Sequence, residues 1–148
     1  MKRSLCVRAI AVFATLSFTA AACGGSDGAA PDGAGVAVQL LEWGVTAKPS
    51  AVAAGPVTFT AKNAGMHEHN LVVFKTDFAP EKLPMVNGVV DETAAGVKAI
   101  GAVQALSSKQ TRSLTVTLAA GAYVLACNLP GHYGSGMRSA LQVTEQPE

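Results

Sequence analysis

The stretch Gly121-Ala122-Tyr123-Val124-Leu125-Ala126-Cys127-Asn128-Leu129-Pro130-Gly131-His132-Tyr133-Gly134-Ser135-Gly136-Met137 joins an apolar run to a loop rich in glycine and proline. The run over 122–127 is predicted to be a strand that delivers Cys127 at its end. The loop beyond it has the backbone freedom to curl, so that His132 and Met137 face back toward the sulfur. Thiolate, imidazole and thioether are the soft and borderline donors that copper prefers. Two histidines and a cysteine with a weak axial methionine make the electron-transfer type of copper site. A second histidine would complete that set. Taken alone, a cysteine at a strand end is more often a small buried hydrophobe than a ligand. By the same reasoning Met66 and Met85 are read as core residues.

Two of the chain's three histidines stand in Asn63-Ala64-Gly65-Met66-His67-Glu68-His69-Asn70-Leu71-Val72-Val73-Phe74, between two predicted strands. His67 and His69 are two residues apart, and either side chain could reach the metal. Asn70 and the apolar strand follow His69 directly, which favours His69. His67 is then a solvated loop residue, with a role in loading copper or as the true ligand as the alternative.

At these residues the sequence resembles the cupredoxin family. The His-Asn pair before an apolar strand is similar to the first ligand of plastocyanin and azurin, and G-x-Y-x-x-x-C resembles the plastocyanin strand that ends at the ligand cysteine. The spacing C-x₄-H-x₄-M is instead similar to that of rusticyanin, auracyanin and sulfocyanin. The likeness covers nearly all of 36–144 and is weakest over 76–96. It implies that His69, Cys127 and His132 hold one copper ion in a trigonal plane, with Met137 axial. It also implies that Asn70 stiffens the site, its backbone N–H donating to the cysteine sulfur, and that Tyr123 closes a Greek-key corner.

Short β-type runs separated by Gly, Pro and Asn recur outside the site, at 36–43, 45–48, 57–63, 70–75, 97–103, 112–118, 122–127 and 140–144. Alternation in Val57-Thr58-Phe59-Thr60 and Thr115-Val116-Thr117-Leu118 is that of half-buried strands. The expected fold is all-β, a Greek-key β-sandwich of about eight strands. Only 76–96, with Pro80, Pro84 and Gly88 inside it, breaks the rhythm, and a loop of that length implies a function or a short element of its own.

The 148 residues suit one domain behind a targeting segment. Residues 1–22 read as a signal peptide: a basic start with Lys2, Arg3 and Arg8, then an uncharged, mostly apolar stretch ending in Ala20-Ala21-Ala22. Residues 23–35 contain five glycines and no large apolar side chain and read as a flexible tether. The domain occupies 36–146. Ser17-Phe18-Thr19-Ala20-Ala21-Ala22-Cys23-Gly24-Gly25-Ser26 resembles a bacterial lipoprotein processing site, with Ala20 where leucine is usual. Cys23 is accordingly expected to carry lipid; a free thiol after ordinary cleavage, or a disulfide to Cys127, are the alternatives.

Three of the eleven basic residues lie in the leader, so eight remain against ten acidic ones, a net charge of about −2. No basic stripe is left to bind nucleic acid. These features together predict an exported monomer, lipid-anchored at the outer face of the membrane or in the periplasm. The expected role is a one-electron carrier for redox proteins of the respiratory chain, and not an enzyme, because four ligands leave no open position for substrate. The alternative is a lipoprotein that captures or hands over copper, using Met66, His67 and His69. Redox partners are expected to dock over Leu129, Pro130 and Tyr133, with His132 as the electron's exit.

Overall fold

The computed structural model describes residues 33–146. The leader, Cys23 and nearly all of the tether lie outside the described residues. Eleven strands follow: β1 (Ala34–Leu41), β2 (Gly44–Lys48), β3 (Ala51–Ala53), β4 (Gly55–Asn63), β5 (His69–Lys75), β6 (Met85–Val86), β7 (Val89–Val90), β8 (Lys98–Leu106), β9 (Thr111–Leu118), β10 (Gly121–Ala126) and β11 (Arg138–Thr144). No helix occurs among the described residues. One sheet has the order β2-β1-β4-β9 and the other β3-β11-β10-β5-β8, with β6-β7 a separate hairpin. The chain is thus an all-β sandwich. All eight expected strands are present; β1 starts two residues before the expected 36. The strands not foreseen, β3, β6 and β7, are two or three residues long, too short for alternation to register.

Period-2 alternation builds the core. Val36, Val38 and Leu40 of β1 and Val57, Phe59 and Ala61 of β4 face Leu71 and Val73 of β5, Tyr123 and Leu125 of β10, and Leu141 and Val143 of β11. Each large apolar side chain buried in this way contributes roughly 1.5–3 kcal/mol. The Tyr123 hydroxyl donates to the Ala119 carbonyl at 2.8 Å, which closes the corner between β9 and β10.

Strand β5 is buried on both faces, and the reason lies in the segment over 76–96. Val72 and Phe74 point away from the main core and join Val124 and Ala126 of β10. Leu83, Val90, Val97 and Tyr133 cover them, forming a second apolar cluster outside the sheet. The segment is therefore a cover, tied to the loop after β10 at several points. The Tyr133 hydroxyl donates to the Pro80 carbonyl at 2.6 Å and accepts the Leu83 N–H at 3.0 Å. Gly131 N–H donates to the Gly88 carbonyl at 2.8 Å, and Val90 N–H donates to Asn128 Oδ1 at 2.6 Å.

Three expectations about side chains change here. Tyr133 is buried rather than part of a docking face, because its hydroxyl has two backbone partners inside the cover. Met66 is 86% exposed and Met85 46% exposed, so neither is a core residue. Met66 lies in the loop between β4 and β5, and Met85 in the hairpin on the outside of the cover, and neither position faces an apolar cluster.

Candidate metal centre

Strand parity places two of the donors. In β10, Tyr123 and Leu125 face the main core, so Cys127, next in the same alternation, points inward as the strand ends. His69 opens β5 with the parity of Leu71 and Val73 and points inward too. Tyr123↔Lys75 to Ala126↔Val72 is an antiparallel register, which puts the start of β5 beside the end of β10. His69 and Cys127 consequently meet at one end of the sandwich, both fully buried.

A register shift between β5 and β8 at His69/Leu71 takes Asn70 out of the ladder. Its backbone N–H points to Cys127 Sγ at 3.4 Å, and its Oδ1 accepts the Asn128 N–H at 2.7 Å. One residue thus holds both the sulfur and the first turn of the ligand loop. That loop is closed by backbone hydrogen bonds. Cys127 N–H donates to the Met137 carbonyl and Met137 N–H to the His132 carbonyl, each at 3.1 Å. Gly136 has φ +118, and a Cβ there would come within 3.0 Å of the Trp43 carbonyl oxygen, so only glycine fits this turn.

The donor atoms converge. His69 Nδ1 and His132 Nδ1 stand 3.2 Å apart, and Cys127 Sγ is 3.9 Å from the first and 3.4 Å from the second. One ligand atom from each of these residues lies within 4.8 Å of the others. Donor atoms this close together are within reach of one first-row metal ion, whose bonds to N and S donors run to about 2.0–2.3 Å. Met137 is fully buried beside them. A thiolate, two imidazoles and a thioether in a largely buried site fit copper, and His69, Cys127, His132 and Met137 are arranged as a type 1 copper site.

His67 lies outside this convergence. Its ring stacks parallel to Trp43, with centroids 6.5 Å apart, and its Nδ1 approaches Glu42 at 3.4 Å. Trp43, half exposed, also meets the His132 ring edge-on at 5.2 Å. His132 is accordingly the donor nearest the surface, bordered by the exposed Pro130 and Gly131.

Burial pushes the Cys127 thiol above its ordinary pKa, although the Asn70 and Leu129 backbone N–H groups act against it. Burial also pushes His132 below the ordinary histidine value, with the neighbouring His69 and His67 adding to the shift. At neutral pH without metal, the protein therefore presents a thiol and a neutral imidazole. Glu42 is held down to about 2, first by the His67 backbone N–H, with Met66 N–H and His69 contributing.

Two residues that shape the site were not legible beforehand. Asn63, buried at the end of β4, donates through Nδ2 to the carbonyls of His67 and Leu106, each at 2.7 Å, and accepts the Gly65 N–H at 2.9 Å. It moulds the loop that presents His69, and the Asn63-Ala64-Gly65 turn was its one visible signal. Glu42, between β1 and β2, reaches His69 Nε2 at 3.2 Å across 27 residues of sequence, a pairing that no local spacing announces.

No curated protein matches the chain by sequence. Among solved structures, auracyanin A, a "blue" copper protein from Chloroflexus aurantiacus, is 20% identical with a TM-score of 0.54, over 76% of this chain and 99% of that one. Auracyanin from Roseiflexus castenholzii is 22% identical with a TM-score of 0.52, over 76% and 96%. Rusticyanin from Thiobacillus ferrooxidans is 17% identical with a TM-score of 0.51, over 78% and 79%. At these identities the likeness is one of fold. The model of the copper binding proteins of the plastocyanin/azurin family matches residues 45–144, from β2 to the end of β11, and so spans every donor of the site. The chain belongs to the plastocyanin/azurin family of copper-binding proteins.

Proposed function

We propose that this protein is a blue-copper, one-electron carrier working outside the cytoplasm, between redox proteins of a membrane or the periplasm. The observation that carries the reading is the enclosure of the donors. His69, Cys127 and Met137 are fully buried, and His132 alone approaches solvent. Bound copper supplies a couple that gains or loses a single electron. The chain supplies a rigid set of donors, held by Asn70, Asn63 and the closed ligand loop, that leaves no open position for a substrate. This argues against catalysis. The leader and Cys23 support export and a lipid anchor, which would keep the carrier near membrane partners.

A copper-handling role draws support from Met66 and His67, exposed side by side on the loop before His69. Both readings are tested by a visible spectrum and a reversible redox titration of the copper-loaded protein. An intense thiolate-to-copper band, lost in Cys127→Ser, together with a one-electron titration supports the carrier. A colourless form that exchanges its metal within seconds rejects the carrier in favour of copper transfer.

A further inference from the structure

One oxygen of Glu42 gathers the groups around the buried histidine. Oε1 accepts the backbone N–H of Met66 at 2.9 Å and of His67 at 2.7 Å, and it lies 3.2 Å from His69 Nε2 and 3.4 Å from His67 Nδ1. The carboxylate is only partly open to water, its side chain 22% exposed. A Cβ on Gly65 would come within 2.5 Å of both carboxylate oxygens, so the loop is cut to admit this group. Ser108 Oγ, which donates to the Gly65 carbonyl at 2.6 Å, holds the same loop without a hydrogen bond to His69.

We propose that Glu42 is a positioning residue for the metal centre: its carboxylate fixes the buried His69 with the proton on Nε2 and the lone pair on Nδ1, and its charge lowers the reduction potential. An ionised carboxylate only accepts hydrogen bonds, so a neutral His69 facing it carries its proton on Nε2. Nδ1 is then bare, and it is the atom that faces Cys127 Sγ and His132 Nδ1. A negative charge behind a ligating imidazole strengthens the imidazole as a donor. It favours the doubly charged ion over the singly charged one, because the Coulomb attraction is larger. The inference rests on the copper site and not on the carrier role, so it holds equally if the protein hands copper on.

Glu42→Gln separates charge from architecture. An amide oxygen can take the place of Oε1 and keep both backbone hydrogen bonds, with only the charge removed. The variant is expected to stay blue. Its affinity for Cu(II) should fall about 10-fold or more, as loss of an outer partner of a metal-bound histidine does. Its affinity for Cu(I) should fall less. A tenfold difference between the two raises the potential by about 59 mV for one electron. Ser108→Ala, which loosens the loop but leaves the charge, should leave the potential in place. Nitrogen-15 NMR of the metal-free wild type in mildly alkaline buffer, where the imidazole form is selected, should show the His69 proton on Nε2 and not on Nδ1.

An unchanged potential in a blue Glu42→Gln overturns the proposal, as does an equal shift in Ser108→Ala. So does a wild-type His69 that carries its proton on Nδ1, an observation that needs no variant to fold. Failure of the copper reading looks different, because the wild type itself would then show no thiolate-to-copper band.

Discussion

At the scale of single residues, the four donors divide the work by softness and burial. Met137 is fully buried and belongs to the main core cluster beside Cys127, so leucine of similar volume can replace it without opening the pocket. Met137→Leu is expected to keep copper and colour and to raise the reduction potential, because losing a weak donor destabilises Cu(II) more than Cu(I). Loss of copper from this variant would show instead that Met137 is a strong ligand. Cys127 sets the pH dependence of loading. Its pKa is raised by burial, so the metal-free protein holds a thiol at neutral pH, whereas the metal takes a thiolate. Copper uptake should therefore release the thiol proton, and apparent affinity should rise about tenfold per pH unit between roughly pH 7 and 8. His132 adds little at these pH values, which lie above the ordinary histidine pKa, because burial lowers its own further. Titration in buffers of different ionisation enthalpy measures the proton count, and a count near zero would show that the thiolate is already formed.

At the scale of elements, the cover over 76–96 and the ligand loop act as one piece. Tyr133 joins them: its ring lies in the second apolar cluster and its hydroxyl serves Pro80 and Leu83. Tyr133→Phe keeps the ring and strands a part-buried carbonyl and a buried N–H, so it should destabilise the protein by about 1–3 kcal/mol. Because Tyr133 is not a ligand, the visible spectrum should change little. Amide exchange in 77–96 should speed up more than exchange in β1 or β4. Uniform acceleration across the sandwich would mean that the cover is no separate unit.

At the scale of the whole molecule, the sandwich buries the site at one end and leaves the His132 edge as the part of it nearest solvent. Around that edge lie Leu129, half-buried, and Pro130 and Gly131, exposed, with Trp43 set against the imidazole. Weak, brief encounters between redox proteins use small interfaces, and a charge placed there should disturb docking without touching a ligand. Leu129→Lys and Pro130→Asp are expected to slow self-exchange and electron transfer to a redox partner several-fold while the copper spectrum stays the same. Unaltered rates in both variants would move the exit to another face, with the exposed Met85 and Val86 of the cover the next place to look.

The sequence alone was enough for the all-β class and the eight longer strands, because alternation is a local property that survives without a fold; the four donors followed from their residue types together with the resemblance to cupredoxins, and the fold decided for His69 over His67. Asn70, the direct neighbour of His69, was legible through the same resemblance. Only the tertiary structure decided that Tyr133 turns inward and that Met66 and Met85 stay outside, since each depends on a segment packed from elsewhere in the chain. Glu42 is the clearest case. Nothing near it in sequence marks it, and its place beside His69 exists only because β1 and β4 run parallel in register, Leu40 against Asn63, which brings the turn after β1 to the loop after β4.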